Sequence, residues 1–135
     1  KVLVNEASLW PKGRFVTTHL VVRTEFLDKH PDLVEKLLAG QVEANELVNR
    51  DPAEAQALAN AQIQKVTGKA LKPAVTAAAW KRLEFTDDPI ASSLRTSAAH
   101  AEALGLLKPV KLDGIYDLGP LNRVLASRGQ PEVAT

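Results

Sequence analysis

One segment of this chain, Phe15 to Val22 (FVTTHLVV), has the composition of a buried β-strand and most constrains the possible fold. It is rich in β-branched and apolar residues, and its near-continuous apolar character is typical of a strand covered on both faces in an α/β sheet. A short run, Lys1 to Val4, is the other strand candidate. Two such strands cannot make a doubly covered sheet, so the segment needs partner strands. We expect these partners in upstream sequence, with a dimer as the alternative.

The segments after Arg23 have a helical spacing of apolar residues. DPAE, starting at Asp51, combines a capping acid, a first-turn proline and a glutamate three residues after the cap. TDDP, starting at Thr86, is a similar start signal. The polar tail from Ser127 to Thr135 is expected to fray. These patterns predict helices over about 31–49, 51–67, 73–83, 88–104 and 118–126.

The composition argues against several classes of function. With 17 basic and 16 acidic residues, the net charge of +1 gives no support to nucleic-acid binding, which needs clustered basic charge. The absence of cysteine excludes disulfides, thiol catalysis and iron–sulfur clusters. The three histidines, His19, His30 and His100, are too dispersed to argue for a metal site. We therefore expect no metal and no cofactor.

A family likeness is carried by the run from Leu9 to Arg23 (LWPKGRFVTTHLVVR), which closely resembles the crossover segment of aliphatic-sulfonate-binding proteins. The likeness continues through TEFL and HPDLV (24–34), FTDDPI and SSL (85–94), and GIYDL (114–118). The chain thus resembles the C-terminal part of a periplasmic solute-binding protein in the nitrate, sulfonate, taurine and bicarbonate family of ABC transporters.

The resemblance implies an α/β fold of the type II periplasmic-binding-protein kind, in which two lobes close around a ligand. Residues 1–14 would then be the end of the second lobe and the crossover loop. Residues 15–135 would be the crossing strand and the helices of the first lobe, whose upstream sheet is missing from this chain. Within this fold the chain would be mostly helical, with one or two strands.

The implied function is the extracytoplasmic solute-binding component of an ABC importer. Such a protein is not an enzyme: it captures a small organic anion, such as an alkanesulfonate, and delivers it to the permease in the membrane. The implied location is periplasmic or extracellular, either free or as a membrane-anchored lipoprotein.

The candidate ligand-binding residues are Trp10, Thr17, Thr18 and His19, which lie where the crossing strand would border the cleft. Hydroxyl and backbone N–H groups can bind a sulfonate without a full charge in the site. Trp10 could pack against the alkyl part of a ligand or anchor the hinge loop. The ordinary alternative is that both threonines bond neighbouring backbone and that His19 is a packed strand residue.

Two further groups of residues have a possible role with anions. Lys12 and Arg14 could attract anions to the cleft mouth, although such residues are more often solvated loop charges. Ser92 and Ser93 lie in the first turn after Pro89, and the N-terminus of a helix can bind an anion.

Two other functions remain open at this point. A protein of the same fold could bind or synthesise a thiamine-pyrimidine precursor, and an enzyme of that kind would need a reactive His, Cys or Lys. The chain has no cysteine, and only His19 lies near the expected crossover. The other alternative is a helical protein–protein interaction module, whose signature would be a large exposed apolar face.

Overall fold

The computed structural model describes residues 1–135 and is all-helical, with 59% helix and no strand. Two short 3-10 turns come first, followed by six α-helices. Their bounds are Glu6–Leu9 and Pro11–Gly13 for the turns, and α1 Thr24–Lys29, α2 Pro31–Arg50, α3 Pro52–Thr67, α4 Pro73–Trp80, α5 Ala91–Ala103 and α6 Gly119–Ser127 for the helices. The five predicted helices are α2 to α6, and each observed end lies within three residues of its predicted position. The helix positions are thereby confirmed.

The start and stop signals of α3 show why these helices could be located from sequence. The Asp51 carboxylate accepts a hydrogen bond from the Glu54 N–H at 3.0 Å, and Pro52 occupies the first turn. Gly68 follows the helix with φ 79°, a left-handed conformation that glycine adopts without strain. Each signal acts within one turn, so the local sequence alone sets the helix boundaries.

The main apolar cluster lies between α2 and α6. Val42 of α2 packs with Val124 and Leu125 of α6, and Leu125 is only 1% exposed. Partly buried side chains surround this cluster: Leu38, Ala39, Leu121 and Val133. This is a small core, because ten of the 135 residues are buried.

The C-terminal tail is held against α2 and α6, so the prediction that it frays is wrong. The Asn122 amide donates to the Val133 carbonyl at 3.0 Å, and the Val133 N–H donates to Asn122 Oδ1 at 2.9 Å. Arg128 forms an ion pair with Glu46 of α2 at 2.5 Å, and Gln130 donates to the same carboxylate. These partners are distant in sequence, so no local pattern indicates them.

The predicted strand over 15–22 is wrong, and with it the predicted α/β periplasmic-binding-protein fold, because the chain forms no sheet. Residues 15–22 lie outside the helices and make no backbone–backbone hydrogen bond. The Val16 N–H donates instead to Ser93 Oγ at 3.2 Å. Residues 1–4 are also irregular. A strand is stabilised by a hydrogen-bonded neighbour, and these 135 residues provide none.

The surface of the molecule is large for its mass. Its accessible area is 10,270 Å². A compact monomer of this mass would expose about 6,900 Å². The excess reflects apolar side chains that have no covering layer, such as Val21, which is 86% exposed. None of the helices combines the length and the apolar character needed to cross a bilayer.

Candidate functional site

A cleft of about 500 Å³ lies between the segment from Trp10 to Arg14 and the first turns of α5. Its walls carry cationic and hydroxyl side chains together with one carboxylate. The charged members are Lys12, Arg14, Arg95 and Asp88, and the hydroxyl members are Ser92, Ser93, Thr96 and Thr135. We call this site the cationic cleft. It joins residues that are more than 70 positions apart in the sequence.

Trp10 borders the cationic cleft and also fastens the N-terminal segment to α5. Its ring stacks on Phe15, with centroids 5.3 Å apart and an interplanar angle of 16°, and lies against His100 at 6.1 Å. Its indole N–H donates to Glu6 Oε1 at 3.1 Å. Of the two roles considered for Trp10, these contacts favour the anchor, while the indole still contributes to the cleft wall.

The backbone is strained at two positions, and both border the cationic cleft. Lys12 (φ 55°) and Ile90 (φ 44°) are the two non-glycine residues with positive φ in the chain. This conformation is an outlier for a β-branched residue and costs about 1–3 kcal/mol. The Ile90 N–H donates to Asp88 Oδ1 at 2.8 Å, and the Ser93 hydroxyl donates to the Ile90 carbonyl at 2.8 Å. Asp88 and Ser93 therefore help to hold the strained turn.

The three cations of the cleft differ in how far they are already engaged. Arg14 is held by Glu84 through two contacts, of 2.7 Å and 3.0 Å. Lys12 and Arg95 belong to none of the five ion pairs of the structure. Their charges are available to a bound anion, whereas most of the Arg14 charge is compensated.

The four predicted ligand-binding residues do not converge on one site. Of these four, Trp10 borders the cationic cleft. Thr17 and Thr18 are exposed, and their hydroxyls make no hydrogen bond within the protein. His19 is half-buried, and its Nε2 lies 2.9 Å from the Tyr116 hydroxyl.

Tyr116 contacts His19 and lies near Arg95, which borders the cationic cleft. Burial raises the pKa of Tyr116, and the positive charge of Arg95 acts in the opposite direction. The guanidinium of Arg95 is thus near both the cleft and the His19–Tyr116 pair. Neither Arg95 nor Tyr116 was predicted as a site residue. The available signal was spacing, because Arg95 lies three residues after Ser92 and so on the same face of α5.

A second cavity, of about 430 Å³, borders α2 and contains Glu43, Glu46, Arg50 and Arg128. The hydrogen bonds from Arg128 lower the pKa of the Glu46 carboxyl, and the same contact raises the pKa of Arg128. The charges of this cavity compensate one another, unlike those of the cationic cleft. No group of three or more His, Cys, Asp or Glu side chains is placed to hold a metal ion.

Comparisons of the chain with protein-family models, curated proteins and solved structures give no match. The resemblance to aliphatic-sulfonate-binding proteins therefore stays a prediction from the sequence.

Proposed function

We propose that this chain belongs to the extracytoplasmic solute-binding component of an ABC importer, which captures a small organic anion such as an alkanesulfonate and delivers it to a membrane permease. The observation that carries this proposal is the cationic cleft, where the unpaired side chains of Lys12 and Arg95 outnumber the carboxylate side chain of Asp88. The sequence likeness around LWPKGRFVTTH supports the same function, and it includes the segment from Trp10 to Arg14 that borders this cleft.

The chemistry of the cleft suits a small amphipathic anion. Its volume of about 500 Å³ lies within the usual range of about 300–1,000 Å³ for ligand pockets. Cationic and hydroxyl groups can bind the oxygens of a sulfonate, and Trp10 offers apolar surface to an alkyl chain. The exposed charge of Lys12 would also increase the rate at which anions reach the cleft.

Thermal unfolding with a panel of ligands tests this proposal. The panel contains butanesulfonate, taurine, nitrate, bicarbonate and a thiamine-pyrimidine precursor, with sodium chloride at equal ionic strength as the control. A ligand at about 100 times its Kd should add about 2.7 kcal/mol of stability. Stabilisation by sulfonates above the chloride control is the expected result. If the pyrimidine precursor alone stabilises the protein, thiamine-pyrimidine precursors would replace alkanesulfonates as the proposed ligand class. If no ligand stabilises it, the proposal is wrong.

A helical protein–protein interaction module is the second candidate, and the exposed apolar side chains favour it. Leu33 and Leu37 of α2 and Leu58 and Val66 of α3 are all exposed, and their helices have no covering layer at these positions. Sedimentation velocity over a range of protein concentrations distinguishes the two candidates. Association at micromolar concentration without any response to anions would support the interaction module. A monomer that is stabilised by sulfonates would support the receptor.

A further inference from the structure

We propose that Arg95 is the residue that binds the charged head of the ligand in the cationic cleft, and that Asp88 makes the cleft discriminate against doubly charged anions. This inference rests on the proposed anion-binding function and specifies which side chains carry it. Sequence patterns did not indicate Arg95, and its role follows from the placement of its neighbours.

Arg95 differs from Arg14, the other arginine of the cleft, in whether its charge is already paired. Arg14 is bound at both ends of its guanidinium fork by the Glu84 carboxylate, so an incoming anion would have to displace an existing partner. Arg95 makes no ion pair. An anion that binds Arg95 therefore meets an uncompensated charge.

Arg95 differs from Lys12 in the hydrogen-bonding geometry of its charged group. A guanidinium offers five N–H donors in a planar fork that matches two oxygens of an oxyanion, whereas an ammonium is a strongly hydrated point charge. Both side chains are exposed, but Lys12 lies in the 3-10 turn Pro11–Gly13, while Arg95 lies on α5 one turn after Ser92, which also borders the cleft. Arg95 can thus bind the head group together with a hydroxyl from the same helix face.

Arg95 also has a neighbour outside the residues that line the cleft, Tyr116. Its charge lies close enough to Tyr116 to affect the ionisation of that hydroxyl. Tyr116 is in turn held by His19 at 2.9 Å.

Asp88 places a negative charge in the same cleft, and its carboxylate is held by the Ile90 N–H at 2.8 Å. A second negative charge on the ligand would be repelled by Asp88, so a monoanion is favoured over a dianion of similar size. Methanesulfonate and sulfate are suitable probes, because both have a tetrahedral sulfur head and they differ by one charge.

Titration calorimetry with these two anions on the full chain tests the inference. The unchanged protein should bind methanesulfonate more tightly than sulfate. Arg95→Gln should weaken methanesulfonate binding about tenfold or more, because it removes a charge-assisted hydrogen bond. The control Arg82→Gln changes an exposed arginine outside the cleft that makes no ion pair, and it should change the affinity by less than about twofold.

Asp88→Asn keeps the acceptor for the Ile90 N–H but removes the charge. It should improve sulfate binding relative to methanesulfonate by about threefold or more. The variants differ only at the substituted residue, so a difference in affinity between them is due to that side chain. Arg95→Lys, which retains the charge without the fork, should give an intermediate affinity, and it replaces Arg95→Gln if circular dichroism shows that the latter does not fold.

The possible failures are distinguishable. If the unchanged protein binds neither methanesulfonate nor longer alkanesulfonates, the proposed function fails and the inference fails with it. If it binds them but Arg95→Gln behaves like Arg82→Gln, the role of Arg95 is overturned while the function stands. Tighter binding of sulfate by the unchanged protein, or an unaltered preference in Asp88→Asn, overturns the role of Asp88.

Discussion

The pair α2 and α6 and the N-terminal segment from Lys1 to Arg23 differ in how their structure is maintained. The helices satisfy their own backbone groups and bury Val42 and Leu125 between them. The N-terminal segment has only its two 3-10 turns as regular structure and is attached to the rest by separate side-chain contacts, such as that between His19 and Tyr116. Helices can therefore form from local sequence, whereas a strand-forming segment takes whatever contacts its surroundings provide.

The largest effect should come from Leu125→Ala in the helical region. Leu125 is 1% exposed, so its truncation should cost about 2–5 kcal/mol through lost apolar burial and the cavity left behind. Val21→Ala is the matched change in the N-terminal segment, at a side chain 86% exposed. That change should stay within about 0.5 kcal/mol. Urea unfolding followed by circular dichroism measures both, and equal costs would contradict the contrast between the two regions.

An intermediate effect is expected for Asn122→Ala. This change removes both hydrogen bonds to Val133, one accepted and one donated, and should cost about 1–3 kcal/mol in the same urea experiment. Asn60→Ala is a matched control, since Asn60 makes the same two kinds of hydrogen bond to Leu71 at an exposed site. We expect a smaller loss there, because water can replace exposed hydrogen bonds. A larger loss of stability for Asn60→Ala than for Asn122→Ala would argue that the tail does not contribute to the core.

The cap of α3 should contribute less to stability than the hydrogen bonds of Asn122. Asp51→Ala leaves the Glu54 N–H without its acceptor, and the loss of such a cap costs about 1 kcal/mol. Asp113→Ala, at an exposed loop residue without a side-chain hydrogen bond, controls for the removal of one negative charge. Thermal unfolding of the two variants should show a lower midpoint for Asp51→Ala. Equal midpoints would show that the cap is dispensable.

The smallest effect concerns pH and the contact between His19 of the N-terminal segment and Tyr116 in the loop between α5 and α6. Burial raises the pKa of Tyr116 above its unfolded value of about 10. Its contribution to stability is therefore fully present below about pH 10 and is lost as the pH rises through the folded pKa. In Tyr116→Phe this loss should be absent, so its unfolding midpoint should fall less steeply at alkaline pH. A steeper fall in the variant would contradict the assigned direction.

The helices were predictable because their signals are local, and the errors arose where structure depends on distant residues. Asp51 and Gly68 mark the ends of α3 within one turn. The segment 15–22 has strand-forming residues, but propensity alone cannot provide the neighbour that a strand requires. The attachment of Val133 to Asn122 similarly depends on how α6 lies relative to the tail.

The residues of the candidate site also divide into those that the local sequence indicated and those that it did not. Trp10, Lys12 and Arg14 were selected from one continuous segment, and all three border the cleft. Arg95 was missed, because its spacing from Ser92 puts the two residues on one face of α5 but does not show that this face borders the segment from Trp10 to Arg14. The compensation of Arg14 by Glu84, 70 residues away, was likewise invisible.

The small core has a consequence for the heat capacity of unfolding. A compact protein of 135 residues would show a change of about 1.6–2.0 kcal/mol/K. This chain already exposes 10,270 Å² when folded, so unfolding adds less apolar hydration, and its heat-capacity change should fall below that range. Its stability curve is correspondingly flat, so cooling the folded protein weakens the fold little.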